Sequence, residues 1–115
     1  MLDINQELKK SLKNLEVKTV FQYPDSFVEL PIISYYTVSD KIKMFVDNGA
    51  FIEEGYINLD IWTKTPKEGF DIAQAVNSAL DNDGWIMQFM MDVKKESDEN
   101  IYHRTMRFKK QFVII

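Results

Sequence analysis

Apolar residues recur along this chain with two different periods, and the switches between them mark its elements. From Asp3 to Leu15 the period is helical. Ile4, Leu8, Leu12 and Leu15 form one stripe, and Glu7, Lys9, Lys10, Lys13 and Asn14 take the polar side, which predicts a short amphipathic helix. Asp3 and Gln6 are spaced as a capping pair at its start. The period then drops to two. Val17, Thr19, Phe21 and Tyr23 share one side of a predicted strand that Pro24-Asp25-Ser26 ends. Ile32–Val38 is rich in β-branched and aromatic residues and reads as a strand. Lys41–Val46 alternates as well, with Ile42, Met44 and Val46 on one face. Asp47-Asn48-Gly49 is a hairpin turn signal, because Asn and Gly tolerate positive φ. A further strand leaves it at Ala50 and runs to about Lys64, with Glu53-Glu54-Gly55 as a candidate bulge or bend.

The stretch Gly55–Trp85 carries the sharpest signals. Ile57, Leu59 and Ile61 alternate with Asn58, Asp60 and Trp62, as in a half-buried strand. Thr65 is placed to cap a helix, Pro66 suits its first position, and Glu68 completes a capping box. Ile72, Ala73, Val76, Ala79 and Leu80 then form a helical stripe, and Gly84 suits the left-handed position that ends it. Trp85, Met87, Phe89, Met91 and Val93 share a face of the next strand. A charged loop, 94–100, leads to a final strand from Ile101 to Ile115. There Tyr102, Met106, Phe108, Phe112 and Ile114 oppose His103, Thr105, Arg107, Lys109 and Gln111.

The order α-β-β-β-α-β-β, with hairpins between most strands, predicts an α+β fold: a mainly antiparallel β-sheet with two amphipathic helices packed on one face. Pairing Val93 with Tyr102 would bury Met87 and Phe89 with Met106 and Phe108. Trp62, Ile86 and Met90 would then lie on the uncovered face, where exposed apolar groups among polar ones suggest a subunit contact.

Length changes this picture little: 115 residues make one domain spanning 1–115. The absence of cysteine excludes disulfides, thiolate metal sites and cysteine nucleophiles. A net charge of −4 gives no general attraction to nucleic acid or anionic lipid. No apolar run is long enough to span a bilayer, and Met1–Asn5 lacks the character of a secretion signal. These features together lead us to expect a protein retained in the cell that makes it.

Candidate chemistry is sparse. The single histidine, His103, alternates with Thr105, Arg107 and Lys109, which reads as a solvated residue on a cationic strand face and a poor metal ligand. The acidic groups Glu53, Glu54, Asp60 and Glu96, Asp98, Glu99 lack the spacing of a calcium loop. Arg104 and Lys110 point away from Arg107 and Lys109, which divides any nucleic-acid patch. No phosphate loop, zinc spacing or nucleophile elbow is present, and no cofactor is expected.

The strand Leu30–Tyr36, the strand Tyr56–Lys64, the helix Ile72–Leu80, the Gly84-Trp85 turn and the strand Ile101–Phe108 follow one another in an order that resembles the tail terminator, or tail completion, proteins of long-tailed bacteriophages and prophages. The resemblance spans about Tyr23 to Phe108. It implies a non-enzymatic role in which copies assemble as a ring, typically of six, on the end of the tail tube. There the ring would stop tube growth and join the tail to the capsid connector, in the host cytoplasm during assembly and then in the virion. The implied partners are further copies of itself, the tail tube protein and the head–tail connector, with no sequence-specific nucleic acid and no membrane. The family offers no catalytic motif to carry over. The proposed assembly contacts are Asn48 in the hairpin turn, Glu96 and Asp98 in the charged loop, and Trp62, Ile86 and Met90 on the uncovered face. Another connector component, or a small-molecule or peptide binding module on the same sheet, are the alternative readings.

Overall fold

The computed structural model describes residues 1–94 and 100–115. The elements follow the expected order: α1 (Ile4–Leu12), β1 (Lys18–Phe21), β2 (Ile32–Phe45), β3 (Phe51–Thr63), α2 (Pro66–Asn82), β4 (Ile86–Val93) and β5 (Tyr102–Ile114). The strands form one sheet in the order β1-β2-β3-β5-β4. Only β1 and β2 run parallel; every other neighbouring pair is antiparallel. This is an α+β fold, with both helices on one face of a mainly antiparallel sheet.

Local chemistry sets the helix ends. Asp3 accepts a hydrogen bond from the Gln6 N–H at 3.2 Å, and Thr65 accepts one from the Glu68 N–H at 3.2 Å, so each cap satisfies a backbone donor that the helix leaves free. The Glu68 carboxylate reaches back to the Lys64 N–H at 3.4 Å. Gly84 (φ +86°) follows the end of α2, and its N–H and that of Trp85 return to Asp81 and Leu80 carbonyls.

The core lies between helices and sheet. Ile4, Leu8 and Leu12 of α1 and Ala73, Val76 and Leu80 of α2 pack on Ile33 and Tyr35 of β2, Ile57, Leu59 and Ile61 of β3, Met106 and Phe108 of β5, and Trp85. The strand contributors sit at alternate positions, as the pleat requires. Burying each large side chain contributes about 1.5–3 kcal/mol against chain entropy.

The strands outrun the helices. Lys41–Val46 is the continuation of the strand begun at Ile32, so β2 and β3 form one long hairpin closed by a 3-10 turn at Asp47–Gly49 with Asn48 at φ 65°. With the end of β5 they make a three-stranded arm, and the molecule measures 56 × 24 × 22 Å. The expected bulge at Glu53–Gly55 is absent, since β3 pairs without interruption on β5. The irregularities fall on β2 instead, between Thr37 and Ser39 and between Ile42 and Met44. Gly55 answers a different need. Ile4 of α1 lies directly over it, and a Cβ there would come within 2.9 Å of Ile4 Cγ2.

One register expectation is corrected. Val93 pairs with His103, and a shift between Met87 and Phe89 puts Gln88 out of step. Met87 and Met90 therefore share the helix side with Phe108 and Met106, while Ile86, Phe89, Met91 and Val93 face the other way. Met90 is thus not on the face opposite the helices, and Phe89 is. A single extra residue reverses every later side chain of a strand.

Candidate functional site

The face of the sheet away from the helices is not bare. At Gln22 (φ 66°) the chain turns out of β1, and residues 22–31 cross this face before re-entering as β2. Tyr23 and Phe27 come down on Trp62, with ring centroids at 5.3 and 5.0 Å. His103 stacks on the indole, 3.8 Å between centroids and 14° between planes. Trp62 is consequently only 7% exposed. The expectation of a solvent-facing Trp62 is overturned. Alternation placed the ring on the correct side, but the β1–β2 connection, a non-local contact, buries it.

Beneath that loop lies a polar cluster. The Trp62 Nε1–H donates to Ser34 Oγ at 3.0 Å. His103 Nε2 is 2.7 Å from Asp60 Oδ1. Asn58 Nδ2 donates to Asp60 Oδ2 at 3.3 Å and to Thr105 Oγ1 at 3.1 Å. Ser34, Asn58 and Asp60 are all buried, so these bonds offset the desolvation of groups that would otherwise be costly to enclose. His103, expected to be solvated, is half-buried and paired. The meeting follows from the pairing of β3 with β5, which sets Trp62 opposite His103 and which no spacing along the chain signals. Chemically the cluster is self-satisfied. Ser34 Oγ accepts from the indole N–H and Thr105 Oγ1 from Asn58, so both hydroxyls belong to the hydrogen-bonded cluster.

A second buried group of acids marks the root of the arm. Glu53 is fully buried, and its Oε1 accepts the Leu2 N–H at 3.2 Å. Asp40 lies beside it, and burial together with the Glu53 carboxyl pushes the Asp40 carboxyl up to about 6. Oε2 of Glu53 and Oδ1 of Asp40 are buried without another partner. On the opposite face, hydrogen bonds from Gln111 and Lys43 and the charges of Lys43 and Lys41 hold the Glu54 carboxyl below its ordinary range; the Gln111 bond is 3.0 Å and the Lys43 contact 3.4 Å.

Two clusters of exposed apolar surface lie elsewhere. The arm carries Met44 (54% exposed), Phe45 (74%) and Val113 (67%), and Phe45 rests against Phe51 with ring centroids 6.4 Å apart. The edge strand β4 exposes Ile86, Met87, Phe89, Met90 and Met91. Arg107 lies over Phe89 at 5.2 Å, whereas Arg104 pairs with Asp92 at 3.0 Å on the other side, so these cations are divided between two faces. Of the expected contact residues, Ile86 is exposed on the anticipated face and Asn48 is exposed at the tip of the arm. Met90 is half-exposed among α2 residues, including Phe70 and Asn77. Glu96 and Asp98 lie outside the described residues. Among the described residues no group of three His, Asp or Glu side chains is placed to hold a metal ion, and no helix is long and apolar enough to cross a membrane.

No protein-family model matches the chain, and neither does any curated protein. Among solved structures, the bacteriophage SPP1 gp17 protein is similar. The TM-score is 0.57, with 15% sequence identity over 97% of this chain and 88% of that one. The chain thus shares its fold with a phage protein along nearly its whole length. At that identity the likeness is one of architecture and carries no residue-level role.

Proposed function

We propose that this protein is a structural component of a phage or prophage, which caps the tail tube and helps join tail to head by assembling as a ring. It acts through self-association and docking and performs no catalysis. Its partners are further copies of itself, the tail tube protein and the head–tail connector, met first in the host cytoplasm and then in the virion. The observation that carries this reading is the arm: three strands beyond the reach of the helices, apolar on both faces and exposed. Such a surface is costly for a permanent monomer and is characteristic of a contact made in an assembly. The fold shared with a phage protein supports the phage setting. A net charge of −4 suits a channel that DNA must pass without being gripped. A different head–tail connector component is the second reading, supported by the same fold and arm with another neighbour.

The test is negative-stain imaging and light scattering of the protein with the tail tube protein of the same phage. Rings on tube ends, with tubes of bounded length, are expected, and Phe45→Ser should reduce ring formation while leaving the melting temperature nearly unchanged. A strictly monomeric protein that leaves tube growth unaltered overturns the proposal.

A further inference from the structure

The proposed ring needs two different surfaces on each copy, because a head-to-tail contact joins unlike patches. The sheet supplies two candidates at its opposite edges, β1 and β4. Among the described residues no strand pairs with the outer side of either. β4 is the more exposed, with only Val93 half-buried along its length. A largely apolar edge strand of eight residues without a proline is a ready template for another strand.

The register places these edges at the same height. Reading across the sheet, Phe21, Tyr35, Leu59, Met106 and Met90 lie in one row, and Val20, Ser34, Asp60, Thr105 and Met91 in the next. Thr19 shares a row with Asp92, and Lys18 shares one with Val93. The strands also have opposed directions: β1 runs with β2 and β5, and β4 runs against them. Rotating a copy about an axis along the strands changes neither height nor direction. It therefore brings β4 of one copy antiparallel to β1 of the next, the more favourable ladder.

The side chains fit that meeting. Met90 would face Phe21 on the helix side, and Met91 would face Val20 on the other. Phe21 is 52% exposed and Met91 55%. Next along, Asp92, whose side chain is 76% exposed, would face Thr19 on the helix side, and Lys18, 54% exposed, would face Val93 on the other. Apolar side chains thus meet apolar side chains across the two central rows of the seam.

We propose that β4 of one copy pairs antiparallel with β1 of the next, so that the five-stranded sheet continues from subunit to subunit around the assembly. This rests on the self-association reading above and specifies its contact. The occupant of each edge is a second copy of this chain, and the arm remains free for a different neighbour.

Cysteine cross-linking tests it cleanly, since the chain has no cysteine of its own. The double variant Phe21→Cys/Met90→Cys, oxidised with the tail tube protein present, should give a ladder of covalent oligomers, and each single variant should give none. Met91→Lys, an exposed substitution, should raise the concentration needed for large species by about tenfold or more while leaving the melting temperature unchanged. Rings in electron images without cross-links from the double variant, or rings undiminished by Met91→Lys, would overturn the edge pairing and leave the ring reading standing. A cross-linked dimer from Met90→Cys alone would overturn it in favour of two-fold β4–β4 pairing. No species beyond a monomer under any condition would overturn both.

Discussion

At Trp62 the indole N–H is used by Ser34, one ring face is covered by His103, and Tyr23 and Phe27 pack on the rest. Truncation removes a large buried ring and strands a polar cluster under a loop that has lost its anchor. Trp62→Ala is therefore expected to cost about 3–5 kcal/mol, seen as a marked fall in melting temperature; an unchanged melting point would mean the loop does not seal the cluster. Asp40 works in the opposite sense. Its carboxyl is raised to about 6 in the folded protein by burial and by Glu53, so the folded state binds a proton more tightly than the unfolded chain does. The associated stability is fully present below the ordinary aspartate range, near pH 4, and is lost as pH rises through about 6. Asp40→Asn abolishes that loss. Allowing for solvent around a half-buried group, the variant should be more stable than the parent by about 1–2 kcal/mol at pH 7.5 and little different near pH 4. Denaturant titrations at the two pH values decide this, and an equal effect at both would exclude ionisation as the cause.

At the scale of elements, the contact between α1 and β3 depends on Gly55. Ile4 Cγ2, Cδ1 and Cγ1 would lie 2.9, 3.0 and 3.2 Å from a Cβ at that position. Gly55→Ala must push α1 off the sheet or force Ile4 out of its rotamer, at an expected cost of about 1–3 kcal/mol. The cost should fall when Ile4 is also truncated, because the two groups share one space. A double-mutant cycle with Ile4→Ala should show coupling of about 0.5 kcal/mol or more; strict additivity would show that the helix is free to shift. The residues just before that helix anchor the arm at its root, where the Leu2 N–H meets buried Glu53. Beyond that bond the helix layer ends, and β2, β3 and β5 continue alone.

At the scale of the molecule, this uneven coverage governs what the protein can do. A body with helices on one face and a loop on the other buries the groups that carry polar chemistry, His103 and Asp60 among them. Exposed apolar groups cluster on the arm and on the β4 edge. Their placement at an end and at a side of an elongated molecule, 56 Å in its long dimension, gives two separate directions for contact. One runs along the strands and one across them. The proposed ring would use both, each subunit meeting its neighbours sideways and the tube axially.

Local spacing along the chain was enough for the elements, their order and most of the core. The Ile4–Leu8–Leu12 and Ala73–Val76–Leu80 stripes, the Thr65 cap and the alternation of Ile57, Leu59 and Ile61 are short-range patterns, and short-range sterics and burial decide them. The arm was half legible, as two alternating segments around Asp47-Asn48-Gly49 whose reach past the helices no local pattern measures. Tertiary structure alone decided the rest. The shift after Met87 exchanged the faces of Phe89 and Met90, because a ladder tolerates one extra residue wherever its neighbours allow. Trp62 became core because ten residues of connection fold across a face that alternation could only mark as turned away from the helices. His103 found Asp60 because β5 inserts between β3 and β4, a strand order set by non-local pairing energy and invisible to any spacing along the chain.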